Sequence, residues 1–334
     1  MKIRKSQQHL WLSKLNARGA LLEQEAKEFY WKECGHEGEN NFAAFAEREK
    51  AASWQWLFDL RLQAKAGEIQ VDAVLICEVG WITFEVKNYR AAYQFSEKQL
   101  TVNGEVNFHN AFRQAERSSN LFHHVFKQFS AVGDLRHYVV FINEEDTVDV
   151  DGGNSKIPYL KHGKLRQFFR DLRRECETLA NLPAVFNRDF LLEATRLRAM
   201  HKIDNRRYSL TDERFTNLKK GLQCEQCQKF NLRISRYYVI CQECSFCESK
   251  EKATMRLVST LGILLPFESL NPKKVHQLSG GMLEYRTISS TMAKYLTRHS
   301  GQPSYINTNL SFYQQFEHTN FRYKDKVPPY KIRH

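Results

Sequence analysis

Asp72 stands in GEIQVDAVLIC, and thirteen positions later Glu85 is followed, two residues on, by Lys87 in GWITFEVKNY. These are the residue types of metal-assisted phosphodiester hydrolysis. Carboxylates offer oxygen to a hard cation such as Mg²⁺ or Mn²⁺. Such a cation activates water and neutralises the charge that builds on phosphorus during in-line attack, while an ammonium group positions that water or balances the same charge. Side chains alternate faces along a strand, so Ile82, Phe84 and Val86 point one way and Trp81, Thr83, Glu85 and Lys87 the other. If the chain reverses between Glu78 and Val79, Asp72 falls opposite Glu85 and Gln70 opposite Lys87, all on one face. A slip of one residue would separate them. Two neighbouring carboxylates repel, which raises one pKa unless a cation sits between them. The metal ligands of such a site would be Asp72, Glu85 and the backbone carbonyl of Val86. The same spacing also fits an ion pair on the wet face of an edge hairpin, worth about 0–1 kcal/mol.

The elements around these residues are legible from their periods. Residues 11–31 show helical spacing (Leu12, Leu15, Leu21, Leu22, Phe29), and a second helix is expected after a turn at Gly38, from Glu39 through Phe42 and Phe45 to about Trp56. The period then changes, and 58–64, 69–77 and 81–87 read as three strands joined by short turns near Gly67 and Gly80. Asn103-Gly104 marks a further hairpin, because this pair tolerates the positive φ that a two-residue turn requires. A helix over 110–129, a buried strand over 137–143, a loop-like stretch with a short strand at 157–160, and amphipathic helices at 165–176 and 190–200 complete the first part. Strands, helix and strand in this order predict an α/β domain.

Taken together, GEIQVDAVLI, GWITFEVKNY and an upstream Gly-Glu resemble the nuclease-related domain, NERD, a branch of the PD-(D/E)xK phosphodiesterase superfamily. The resemblance covers about residues 30–170 and implies the restriction-endonuclease-like fold. In that family a Gly-Glu opens a helix, one strand carries a metal-binding Asp, the next carries Glu-x-Lys-Asn, and a later helix carries a Gln. The matching residues here are Glu39 in EGENNFAAF, Asp72, Glu85, Lys87 and Gln114 in NAFRQAERSS. The chain departs from the pattern at Ala111, where the family often has Pro, and at YRAAY, where a Gly commonly follows Lys-Asn. Neither departure touches a ligand. A Glu at a helix N-terminus is also favoured by the macrodipole alone, and Gln114 would serve equally on a helix surface.

Five of the eight cysteines lie at 224, 227, 241, 244 and 247. CEQC-x13-CQEC matches the two Cys-x2-Cys knuckles of a structural, four-thiolate Zn²⁺ site, with Cys224, Cys227, Cys241 and Cys244 as ligands and FNLRISRYYVI as the strands of a zinc ribbon. Cys247 is an alternative partner of Cys244 in the second knuckle, and disulfides are the competing reading, disfavoured when no export signal is seen. Beyond this, ATMRLVSTLGILL reads as a buried helix. Asn271 caps a second with Pro272 at its first position, Ser279-Gly280-Gly281 ends it, and a third runs over about 284–298. The last helix buries Ile288, Met292, Tyr295 and Leu296 and leaves Tyr285, Arg286, Ser289, Ser290 and Lys294 for DNA, as in a helix-turn-helix. A plain two-helix hairpin fits the same pattern.

The formal net charge is +12, and residues 224–334 hold 16 Lys and Arg against 8 Asp and Glu, so this last third carries +8. A polyanion suits that surface, and solubility charge is the alternative. No run approaches a membrane span, and the basic N-terminus lacks the apolar core of a signal peptide, so a cytoplasmic protein without a membrane partner is expected. The reading that results is an Mg²⁺-dependent DNA nuclease. Its expected segments are an N-terminal helix (1–30), an α/β restriction-endonuclease-like nuclease domain (31–178), a helical connector (179–220), a zinc ribbon (221–250) and an α-helical C-terminal domain (251–334). The alternatives are a non-catalytic DNA-binding regulator that uses the fold as a scaffold, and an RNA nuclease. Homo-oligomerisation and protein partners stay open.

Overall fold

The computed structural model describes residues 3–64, 67–95, 100–107, 110–129, 133–145, 148–150, 156–202 and 208–307. Helices α1 (Gln7–Ala17) and α2 (Glu23–Glu49) precede strands β1 (Gln55–Ala64), β2 (Gly67–Cys77) and β3 (Gly80–Lys87). Short strands β4 (Tyr93–Phe95), β5 (Leu100–Val102) and β6 (Glu105–Asn107) lead to α3 (Ala111–Gln128) and β7 (Asp134–Phe141). Then come β8 (Val148–Val150), β9 (Tyr159–Lys161), α4 (His162–Leu179), α5 (Pro183–Phe186), α6 (Phe190–Ala199) and α7 (Asp212–Asn217). Strands β10 (Leu232–Ile234), β11 (Tyr238–Cys241) and β12 (Cys247–Ser249) are followed by α8 (Lys250–Leu264), α9 (Pro272–Leu278) and α10 (Tyr285–Tyr295). Two compact units result, one within Met1–Arg4 and Tyr30–Asp204, the other within Lys5–Phe29 and Asn205–His334.

The first unit is built on a mixed five-stranded sheet in the order β1-β2-β3-β7-β9, so β3 is its middle strand. β2 and β3 are antiparallel from Cys77↔Gly80 to Ala73↔Phe84, which is the register expected from a reversal at Glu78-Val79. β3 runs parallel to β7. Both sheet faces are covered. Ala73, Leu75, Ile82, Phe84 and Val86 pack with Phe42 and Phe45 of α2 and with Leu165 and Phe169 of α4. On the other face Trp81 packs edge-on to Phe126 and Phe129. The polar face is therefore not the wet side of an edge hairpin, because α3 and its neighbours bury it. A second sheet, β6-β5-β4-β8, contains the expected hairpin, with Asn103 and Gly104 both at positive φ (50° and 85°).

Two local expectations are corrected. In place of one helix over the first 30 residues there are two, separated where Gly19 adopts φ 63° after α1. Gly38 makes no turn either: it lies inside α2, and a Cβ there would come within 2.5 Å of the Asn88 Cβ and 3.2 Å of Ile142 Cγ2. Its role is close helix-to-strand approach, reinforced by the Asn88 side chain, which donates to the Cys34 carbonyl at 2.9 Å. Gly38→Ala is accordingly expected to destabilise the first unit by up to about 2 kcal/mol, since overpacking of about 1–3 kcal/mol is offset by the roughly 1 kcal/mol that Ala gains in a helix. A denaturant melt that finds the variant more stable would mean that α2 has room to shift.

In the second unit, α1, α7, α8, α9 and α10 share one core, in which Leu12, Leu15, Val258, Leu261, Val275 and Ile288 are almost fully buried. The antiparallel sheet β10-β11-β12 adds Val239 to it. Asn271 caps α9 by accepting the Lys273 N–H at 2.8 Å, with Pro272 at the first helical position, as expected. Among the described residues no helix is long and apolar enough to cross a membrane.

Candidate functional site

The end of β3 gathers the acidic residues and the lysine. Asp72 Oδ2 accepts the Val86 N–H at 2.7 Å, directly past the last β2–β3 pair. Lys87 Nζ donates to Glu85 Oε1 at 2.7 Å and to Gln114 Oε1 at 3.1 Å. The Glu85 and Lys87 side chains are only 7% and 18% exposed. Gln114 reaches Lys87 because Asn110 starts α3 one turn earlier, its side chain accepting the Phe112 N–H at 2.8 Å. The Val86 side chain is buried in the core, and it is the backbone N–H of this residue that meets Asp72. Gln70 does not join the group: it pairs with Arg61 and with Asp59 Oδ1 of β1, at 3.2 and 3.1 Å.

Glu39 arrives by a different route from the one its sequence suggests. It sits deep inside α2, far from a helix start, so the macrodipole does not act on it. The Gly38 contact brings its part of the helix against the end of β3. Burial, the nearby Asp59 and Glu85 raise its pKa to about 7, against the pull of Lys87 and Lys32. Asp72 is raised well above the ordinary carboxylate range, first by burial and then by Glu85 and Glu39, while Lys87 and the Val86 N–H oppose the shift. Burial acts to lower the pKa of Lys87, but Glu85 and Asp72, with Tyr89 beyond them, outweigh it and the ammonium form is held. The group thus concentrates negative charge in a poorly hydrated place, with one lysine bonded into it.

Asp59 was not among the residues singled out by pattern. It has φ 50° in the middle of β1, a left-handed conformation that costs a non-glycine residue roughly 1–3 kcal/mol. The backbone turns over there, so Leu57 and Leu60, three residues apart, enter the same core, as do Val71 and Val74 on the partner strand. That break in the period of two, at the Asp59 and Asp72 positions of both strands, was the available signal.

In the second unit the sulfurs of Cys224, Cys227, Cys241 and Cys244 lie within 4.8 Å of one another. Cys224 and Cys244 sulfurs are 3.6 Å apart and those of Cys227 and Cys241 3.5 Å. These separations exclude disulfides, whose S–S bond is about 2.05 Å. They approach the ~3.8 Å edges of a tetrahedron with ~2.3 Å zinc–sulfur bonds. Each loop carries a left-handed residue four positions after its first cysteine, Gln228 (φ 61°) and Ser245 (φ 58°). The cluster is compatible with zinc, and the exposed Cys247, in β12, lies outside it. On α10, Ile288, Thr291 and Met292 are buried, whereas Tyr285, Arg286, Ser290 and Lys294 are exposed and Ser289 is half-buried. Lys294 is paired with Glu251 of α8 at 2.6 Å. The turn between α9 and α10 occupies residues 279–284.

A mixed α/β sheet with helices on both faces, and acidic groups plus a lysine on adjoining strands, fits an α/β nuclease-like fold. Residues 34–142 match the family model of the nuclease-related domain, NERD. The matched segment includes Glu39, Asp72, Glu85, Lys87 and Gln114 and ends before the cysteine cluster. No curated protein and no solved structure matches the chain.

Proposed function

We propose that this chain is an Mg²⁺- or Mn²⁺-dependent DNA nuclease. The observation that carries the reading is that half-buried Asp72, fixed by the Val86 N–H at the end of β3, has its pKa raised by burial and by the charges of Glu85 and Glu39. A divalent cation relieves that repulsion, and the donors are oxygen, the type that Mg²⁺ and Mn²⁺ prefer. Asp72, Glu85 and the Val86 carbonyl would hold it. When bound, it supplies Lewis-acid stabilisation of the charge on phosphorus and activation of water.

The protein groups have separable tasks. Glu85 and Gln114 orient the Lys87 ammonium, which stays protonated and can donate to a phosphate oxygen or to the attacking water. Glu39, with a pKa near 7, can take or hold a proton at neutral pH. In the second unit we assign a structural Zn²⁺ to Cys224, Cys227, Cys241 and Cys244, making β10–β12 a zinc ribbon. Helices α9 and α10 would act as a helix-turn-helix, with Tyr285, Arg286, Ser289, Ser290 and Lys294 facing DNA. A second DNA-holding unit raises the effective concentration of substrate at the nuclease site, and the net charge of +12 supports phosphate contacts.

The test is incubation of the protein with supercoiled plasmid, linear duplex DNA and a sequence-matched RNA duplex, in Mg²⁺, Mn²⁺ or EDTA. Cutting of DNA with either metal and none in EDTA is expected. Tight, salt-sensitive DNA binding without cutting in any metal would replace this reading with a DNA-binding regulator. Preferential cutting of RNA would make it an RNA nuclease.

A further inference from the structure

Cys77 closes β2, Glu78 occupies the turn into β3, and Cys176 lies near the end of α4. Their sulfur and carboxylate ligand atoms all lie within 4.8 Å of one another, and all three residues are buried. None of them takes part in the site at the other end of β3. Glu78 is 9% exposed, and among the described residues its Oε2 has no hydrogen-bond partner. A buried, unpartnered carboxylate oxygen is costly, so its placement beside two thiols calls for a ligand.

The turn itself is built like a metal-binding knuckle. The Cys176 thiol and the N–H groups of Val79 and Gly80, two and three residues on, lie close enough to the Cys77 sulfur to act on it. Cys241, in the four-cysteine cluster, is held in the same manner by the N–H groups of Glu243 and Cys244, again two and three residues on. The turn is also rigid. Gly80 has φ 140°, and a Cβ there would lie 2.1 Å from the Asp134 carbonyl, so the pairing with β7 dictates its shape.

We propose that Cys77, Glu78 and Cys176 form a metal site for zinc, or a divalent cation of similar softness, separate from the four-cysteine cluster. Two thiolates and one carboxylate match zinc in ligand type. Bonds of about 2.0–2.3 Å require ligand separations of roughly 3.5 Å, which the three atoms reach with small side-chain adjustment. Binding releases the thiol protons to solvent, and the fourth tetrahedral position is left for a water molecule. The ion would tie α4 to the β2–β3 turn. A Cys77–Cys176 disulfide would use the same sulfurs but would leave Glu78 without a role.

The decisive measurement is the zinc content of the 334-residue protein, wild type against Cys77→Ser and Glu78→Gln, after dialysis against a weak chelator. Cys77→Ser is expected to hold one zinc equivalent fewer than wild type, whatever the four-cysteine cluster contributes. After cobalt exchange, it should also lack the charge-transfer intensity of the Cys77 and Cys176 thiolates. Glu78→Gln keeps both thiols and the side-chain volume, so it carries the test if Cys77→Ser fails to fold; its zinc affinity should fall at least about tenfold. Equal zinc content in wild type and Cys77→Ser, or unchanged affinity in Glu78→Gln, would overturn the proposal. So would a Cys77–Cys176 disulfide in the native protein, read by mass spectrometry without reduction.

Discussion

Asp72→Asn is expected to lower DNA cleavage by about 10³-fold or more while leaving the metal-free fold at least as stable as the wild type. The loss follows from removing the charge that would anchor the divalent cation, whose stabilisation of transition-state charge is worth several kcal/mol. The retained stability follows from the geometry. An asparagine oxygen can still accept the Val86 N–H, now found at 2.7 Å from Asp72 Oδ2, and the repulsion with Glu85 and Glu39 disappears. The pH dependence has a definite sign. Because the Asp72 pKa is raised on folding, the folded state keeps its proton when the unfolded chain has lost it, and stability falls as pH rises through this window. The asparagine variant lacks that loss. In EDTA, melting temperatures of the two proteins should therefore be close near about pH 4 and should diverge in favour of Asn toward neutrality. Added Mg²⁺ should raise the melting temperature of the wild type alone. A variant that still cuts, or a wild type that gains no stability from metal, would remove Asp72 from the metal site.

Cys224→Ser should have the second large effect, confined to the second unit. Strands of three or four residues cannot sustain a core, and a structural zinc supplies folding free energy outright, about 10–16 kcal/mol in small zinc modules at neutral pH. Cys224 is fully buried. Its loop closes through a 2.7 Å bond from its own N–H to the Lys229 carbonyl and a 3.1 Å bond from the Gln228 N–H to its carbonyl. Loss of one thiolate should release the ion, expose the face of Val239, and destabilise this unit by on the order of 5 kcal/mol or more. A strong chelator acting on the wild type should reproduce the effect, and DNA affinity should fall with it. Thermal unfolding followed beside zinc release checks this. Identical melts with and without chelator would show that no metal supports the sheet.

How much of this was legible beforehand depended on the range of the interaction. The three long strands, the Asn103-Gly104 hairpin and the cap at Asn271 are written in residues one to four positions apart, where alternation, turn preference and capping act. The spacing of Cys224, Cys227, Cys241 and Cys244 likewise marked a cluster, since two short loops need only meet. The reversal at Glu78-Val79 gave the β2–β3 register as far as Ala73↔Phe84, because a two-residue turn leaves little freedom in register. What sequence could not supply was cover. Only the packing of α3 and β7 around β3 turned Glu85 and Lys87 from a surface pair into a largely covered one. Gly38 reads as a turn by composition, yet the strand behind it makes it a point of contact inside a long helix, which is how Glu39 reaches a site 33 residues further along the chain. Asp59 comes near enough to raise the Glu39 pKa because two strands turn over together, a feature of paired backbones. Local patterns determined the elements and the residues able to bind metal; tertiary packing decided which carboxylates meet and how far water is kept from them, because desolvation and charge proximity are properties of the assembled fold.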